Sequence, residues 1–97
     1  MASVQLESDF KKKVLVALKA LPGCWFVKTQ QVSIRGTPDI LACVRGRFVA
    51  LELKRSAEAK IDVLQTYNIE GIRKAGGYGA VVSPENWLDV LGQLRAI

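Results

Sequence analysis

Apolar residues recur along this chain with two different periods, and each change of period marks a new element. Over residues 4–21, Val4, Phe10, Val14, Leu18 and Leu21 fall at three-to-four spacing, with Glu7 on the same stripe. That spacing predicts a helix over residues 4–20. Ser3 is placed to cap it and Pro22-Gly23 to stop it. Trp25-Phe26-Val27-Lys28-Thr29 then reads as a strand, and alternation continues through Gln31-Val32-Ser33-Ile34-Arg35 until Gly36-Thr37-Pro38 interrupts it. Residues 39–44 and 47–54 are two further strands joined across Arg45-Gly46, a two-residue hairpin connection.

A polar loop over residues 56–60 leads into a second helical stripe, Ile61, Leu64, Ile69, Ile72 and Ala75, closed by Gly76-Gly77. Residues 78–82 read as a short strand. Ser83-Pro84-Glu85 opens a last helix, with Ser83 as cap, Pro84 at its first position, and Trp87, Leu88, Leu91 and Leu94 along its apolar face. The order is therefore α-β-β-β-α-β-α. A hairpin followed by a helical crossover predicts a mixed sheet flanked by helices, an α/β architecture.

Ninety-seven residues, 49% of them hydrophobic, suit one globular domain spanning residues 1–97 with a single modest core. No apolar run reaches the roughly 18–20 residues needed to cross a bilayer. The first residues lack the basic-then-apolar layout of a signal peptide, so the expected location is the cytoplasm, away from membranes. Cys24 and Cys43 are far apart and have no metal-ligand spacing around them, which favours packed free thiols.

Histidine is absent from the sequence. That excludes His-activated nucleophiles and imidazole zinc sites, and leaves carboxylates, lysines or a metal to carry any catalysis. The net charge of +5 lies entirely in the first half: residues 1–50 hold eight Lys/Arg against Glu7, Asp9 and Asp39, whereas residues 51–97 hold six of each sign. A basic half points to a polyanionic partner. No Gly-rich phosphate loop and no helix-turn-helix pattern stands out, so neither a nucleotide cofactor nor sequence-specific readout is expected.

The hairpin concentrates the chemistry. If Arg45-Gly46 is the whole loop, paired positions sum to 91 and Asp39 lies directly opposite Glu52. Opposed side chains share a face with Cβ atoms roughly 4.5–5.5 Å apart. Two carboxylates so placed repel each other, and a hard divalent cation such as Mg²⁺ or Mn²⁺ removes the conflict. A bulge at Arg45, which is not an ideal residue for a primed turn, would shift the pairing. Strand alternation adds Lys54 to the face of Glu52.

Pro38-Asp39, twelve residues, then Glu52-Leu53-Lys54 resembles the PD-(D/E)XK nuclease signature. Gly36-Thr37-Pro38-Asp39-Ile40, the run from Phe48 to Lys54, and Gln65 followed by Ala75-Gly76-Gly77 resemble its VRR-NUC branch, as a stand-alone domain covering almost the whole chain. The resemblance implies a restriction-endonuclease-like core and a metal-dependent endonuclease hydrolysing DNA. Asp39, Glu52 and the backbone carbonyl of Leu53 would ligate Mg²⁺ or Mn²⁺, with Lys54 acting on the attacking water or the phosphate. Glu7 would support the metal and Gln65 would contact the site. Glu7 could equally be a helix-start carboxylate, and Asp62-x-x-Gln65 could be a capping box.

Lys11, Lys12, Lys13, Arg35, Arg45 and Arg47 are candidate phosphate contacts, while Trp25, Trp87, Phe10 and Phe48 read as core. The resemblance further implies structure-selective cleavage of branched DNA such as a four-way (Holliday) junction, a role in DNA repair, and a bacterial or viral source. Two cuts at a junction call for a homodimer, with Trp87, Val90, Leu91, Leu94 and Ile97 as candidate interface unless the last helix simply covers its own sheet. The rival expectation is a non-catalytic nucleic-acid-binding or assembly module that keeps the fold.

Overall fold

A computed structural model describes the backbone of residues 2–29 and 34–97, with side chains from residue 9 onward. Seven elements follow in the expected order: α1 (Ala2–Ala20), β1 (Cys24–Lys28), β2 (Ile40–Val44), β3 (Arg47–Leu53), α2 (Val63–Lys74), β4 (Tyr78–Val82) and α3 (Trp87–Arg95). The four strands form one mixed sheet in the order β1-β2-β3-β4. β1–β2 and β2–β3 are antiparallel, and β3–β4 is parallel. An antiparallel return needs only a tight turn, whereas the parallel step from β3 to β4 requires a crossover, which α2 supplies.

The β2–β3 turn fixes everything downstream of it. Arg45 and Gly46 both have positive φ, 45° and 88°, the signature of a type I′ turn. No bulge intrudes: Val44 pairs with Arg47, Cys43 with Phe48, and so on to Ile40 with Leu51. A non-glycine residue at positive φ is strained, and the Arg45 side chain offsets this by hydrogen bonding. Its guanidinium donates to the carbonyls of Ile97 (2.5 Å), Pro22 (2.7 Å), Leu94 (2.8 Å) and Arg95 (3.0 Å). One side chain thereby caps the end of α3 and ties it to the turn after α1.

Alternation along the strands gives the sheet two unlike faces. One carries Ile40, Ala42, Val44, Val49, Leu51, Leu53, Ala80 and Val82, packed under Phe10, Val14 and Leu18 of α1 and Trp87, Val90, Leu91 and Leu94 of α3. The other face receives α2. Gly77 and Gly79 let that helix approach closely: a Cβ on Gly77 would stand 2.8 Å from Ile72 Cγ2, and one on Gly79 would stand 3.1 Å from the Ile69 carbonyl. α2 covers the β3–β4 half of this face. The β1–β2 half stays open.

Several expectations are corrected. Trp25 and Phe48 are 68% and 46% exposed, because alternation places them on the open half, whereas Phe10 and Trp87 are core. α3 begins at Trp87, since Ser83-Pro84-Glu85 is a turn pinned by Asn86, which accepts from Ser83 N (2.8 Å) and donates to the Val81 carbonyl (3.0 Å). Leu88 consequently points outward. α2 begins at Val63 behind its cap Asp62, leaving Ile61 and Leu64 exposed. α1 begins at Ala2, ahead of the expected cap Ser3.

Of the expected continuation of β1, residues 31–33 lie outside the described residues, and Ile34 and Arg35 are not strand. Thr37 Oγ1 instead donates back to the Ile34 carbonyl at 2.9 Å. Cys24 and Cys43 are free thiols; their strand positions put them on opposite faces, and Cys43 is exposed, not packed. The last helix spends Trp87, Val90, Leu91 and Leu94 on the core of its own chain, so these four cannot form an interface.

Candidate active site

The hairpin register carries Asp39 to the site. Ile40 pairs with Leu51, and one step further along the same ladder sets Asp39 opposite Glu52. Asp39 is held there from both sides. Its carbonyl accepts from Thr29 N at 2.9 Å, and its Oδ2 accepts from Leu53 N at 2.8 Å. The Thr29 hydroxyl also donates to the Pro38 carbonyl, which locks the approach of the loop into β2.

Glu52 is 2% exposed. Its Oε2 accepts from Gln65 Nε2 at 2.5 Å and lies 3.5 Å from Lys54 Nζ. Its Oε1 is buried without a hydrogen-bond partner among the described residues. A buried carboxylate with an idle oxygen is costly. Burial first, and the Asp39 charge second, push the Glu52 carboxyl up to about 7, against the opposing pull of Lys54.

Gln65 answers both readings open from the sequence. It completes the capping box of α2, its Oε1 accepting from Asp62 N at 3.3 Å while Asp62 Oδ1 accepts from Leu64 N at 2.8 Å. The same Oε1 accepts from Lys54 Nζ at 3.0 Å while its amide donates to Glu52. The first turn of α2 thus positions the amide that bridges ammonium and carboxylate. Asp62 also pairs with Arg35 at 3.6 Å, an exposed contact that links the loop before β2 to the same helix start.

These groups can hold a hard divalent cation. The idle Glu52 oxygen, its raised pKa and the opposed Asp39 carboxylate together form a site short of positive charge, made of the oxygen donors such ions take. Among the described residues no three His, Cys, Asp or Glu side chains gather. The donor set is therefore two carboxylates, to which the resemblance adds the Leu53 carbonyl; Mg²⁺ commonly takes one or two carboxylates and keeps several waters. The Glu7 side chain lies outside the described residues.

Two clefts meet at Leu53. One, of about 310 Å³, is lined by Lys11, Lys28, Thr29, Arg35 and Asp39; the other, of about 460 Å³, by Phe10, Lys11, Lys54, Arg55 and Lys60. Lys11 borders both. Lys28, Arg55 and Lys60 escaped the sequence reading because nothing in their local pattern separates them from solvated surface charge. Lys12 and Lys13 are exposed on α1 and line neither cleft. Arg45 lies at the far end of β2 from Asp39 with its guanidinium engaged by four carbonyls. Arg47 donates to the Gly76 carbonyl and stacks over Tyr78, 6.0 Å from its ring centre, also away from the carboxylates.

A mixed sheet flanked by helices, with two carboxylates and a lysine at one end of its hairpin, defines a nuclease-like fold of the PD-(D/E)XK class. Over 91% of its length the chain superimposes on 95% of a solved structure described as "VRR_NUC domain", at 28% identity and a TM-score of 0.75. That likeness supports the assignment made from the motifs, a VRR-NUC domain. No family model and no curated protein matches the sequence.

Proposed function

We propose that this chain is a divalent-metal-dependent endonuclease that hydrolyses DNA phosphodiester bonds, acting on branched substrates such as the four-way junction. The observation that carries the reading is the opposition of Asp39 and Glu52 beside Lys54, with one Glu52 oxygen buried and idle. A fold maintained for binding alone gains nothing from that arrangement. The basic clefts on either side of Leu53 give a phosphate backbone a path to it.

Asp39 and Glu52, with the Leu53 carbonyl, would hold Mg²⁺ or Mn²⁺, which supplies Lewis acidity toward the phosphate and acidifies water. The chain's own residues do the positioning. Leu53 N fixes Asp39, and the Gln65 amide fixes Glu52, so both carboxylates keep their orientation without substrate. Gln65 also holds the Lys54 ammonium, a compact point charge, where it can orient the attacking water or offset charge on the phosphate. Attack forms a new P–O bond and expels one ester oxygen, leaving a phosphate-terminated and a hydroxyl-terminated strand.

With so few side chains free to read base edges, recognition by shape and backbone is the economical mode. A junction requires two cuts on symmetry-related strands, which a two-fold homodimer supplies, and the proposed setting is cytoplasmic DNA repair. The test is a panel of labelled single-stranded, duplex, flap and four-way DNA with Mg²⁺, Mn²⁺ or EDTA. The expected result is metal-dependent cleavage favouring the branched substrates. Binding without cleavage in any metal would leave a non-catalytic DNA-binding module.

A further inference from the structure

We propose that the cleft of about 310 Å³ beside Asp39 seats one nucleobase swung out of the DNA strand whose phosphate lies at the carboxylate pair, and that this seat selects branched DNA over duplex. The DNA partner is taken from the reading above, on which this one rests, while the seat follows from the lining of the cleft itself. Leu15 of α1 stands one helical turn from Lys11, and with Ile40 and Leu53 of the sheet it gives the cleft an aliphatic wall. Lys11, Lys28 and Arg35 line the same cleft, and all three are exposed. The volume is at the lower end of sites that enclose small organic molecules, and apolar walls with a few polar groups are what such sites are made of.

The neighbouring cleft supplies the contrast. It shares Lys11 and Leu53 but adds Lys54, Arg55 and Lys60, with Phe10 as its one large apolar addition. Cations at that density suit successive phosphates. The cleft beside Asp39 adds the hydrocarbon of Leu15, Ile34 and Ile40 instead. A strand with a phosphate at Asp39 and Glu52 therefore has cations for its backbone on one side and an apolar cavity for a base on the other. The polar groups of that cavity fit a base edge. Thr37 Oγ1 donates to the Ile34 carbonyl at 2.9 Å, and the Thr29 hydroxyl donates to the Pro38 carbonyl; both threonines line the cleft. With their protons engaged, the two hydroxyls present lone pairs only. Every base carries an N–H on its Watson–Crick edge, so these acceptors hold a base without choosing among the four. In duplex DNA that edge is paired, and the base must leave its stack to reach the cleft; at a branch point both constraints are already weakened. Among the described residues no aromatic side chain lines the cleft, so burial holds the base and stacking does not.

The test uses a four-way junction with 2-aminopurine at one branch-point position, a duplex with the same base in its interior, and the whole chain in Ca²⁺ or EDTA, so that binding is read without cleavage. A seated 2-aminopurine should stay bright, since nothing aromatic stacks on it, and should become shielded from acrylamide quenching in the junction complex. The duplex complex should show no such shielding. A tetrahydrofuran abasic analogue, moved one position at a time through the branch point, should weaken binding about ten-fold at the seated position, the scale of one buried base, and little elsewhere. Leu15→Gln, and separately Ile34→Ser at the rim, should reduce the shielding and lower junction affinity toward that of duplex, with duplex affinity unchanged. Ile34 is 72% exposed, so its replacement leaves the fold intact. A branch-point base as open to acrylamide in the complex as in free DNA overturns the proposal. Full affinity for the abasic junction at every position does the same, and leaves the cleft carrying phosphate alone. Equal shielding in duplex and junction overturns the selection. Shielding confined to the junction, with no cleavage of any substrate in Mg²⁺, would sink the nuclease reading and leave the seat standing.

Discussion

The two faces of the sheet are built from the same strands and do opposite work. Under α1 and α3, Ile40, Ala42 and Val44 of β2 and Val49, Leu51 and Leu53 of β3 are apolar and closed off, with Val44, Val49 and Leu51 at zero exposure. On the α2 side the same strands carry Trp25, Cys43 and Phe48 in the open and end in Asp39, Glu52 and Lys54. The first face earns stability by excluding water. The second spends some of it, burying a carboxylate beside another and leaving one oxygen without a partner. A chain of this size can tolerate that because the closed face is complete without it.

The sharpest way to break this division is Glu52→Ala. It should lower cleavage about 10³-fold or more, the scale of losing a group that acts on the transition state. Metal-free melting should be unchanged or slightly raised, since the substitution removes a repulsion. Wild-type cleavage by this variant, measured on the best substrate of the DNA panel, would show that the paired carboxylates are not the active site.

On the closed face the effects should reverse. Leu51→Ala, one residue from Glu52 but pointing the other way, should cost about 3 kcal/mol of stability. Phe48→Ala, half exposed on the open face, should cost less than about 1 kcal/mol. Urea denaturation of the two variants is the comparison; equal losses would mean that the open face is as consolidated as the closed one.

The open face should also respond to pH. In the folded, metal-free protein the Glu52 carboxyl is raised to about 7 from 4.5. A raised folded value means that its contribution is fully present below about pH 4.5 and is lost as pH rises through 7. Metal-free stability should therefore fall between pH 5 and 8, by at most about 3 kcal/mol at 1.36 kcal/mol per unit. Mg²⁺ should restore it at the alkaline end. Melts of Glu52→Gln in EDTA should lose this component; a profile matching wild type would show that another group titrates.

How much of this was legible in the sequence follows from what each signal depends on. Asp39, Glu52 and Lys54 could be placed from pairing arithmetic because a two-residue turn fixes register, and register fixes faces. Gln65 was found, but as a choice between cap and site, since local spacing cannot reveal that one amide serves both. Trp25 and Phe48 were misplaced because an apolar strand reads the same whether a helix covers it or not. What decides is how far α2 reaches across the sheet, and no local pattern encodes that. Arg45 was read as a phosphate contact from its charge, while its partners lie near residue 22 and at residues 94, 95 and 97, far off in sequence. Arg45→Ala should accordingly cost about 2 kcal/mol of stability, through charge-assisted bonds to carbonyls. DNA affinity should stay nearly the same, and a loss of binding without a loss of stability would return it to the interface.

The smallest effect separates neighbours on one helix. Lys11 borders both clefts that meet at Leu53, whereas Lys12, the next residue, lines neither. Both are exposed lysines, so composition and net charge treat them alike. Geometry does not, because a backbone crossing the two carboxylates must pass Lys11. Lys11→Ala should weaken binding of a four-way junction in Ca²⁺ several-fold and reduce the slope of log affinity against log salt by about one, the mark of one phosphate contact. Lys12→Ala should alter the slope by much less. Fluorescence anisotropy titrations at three or four salt concentrations resolve the difference. Equal slopes for the two variants would mean that the basic half of the chain attracts DNA as a diffuse field, with no defined track leading to Asp39 and Glu52.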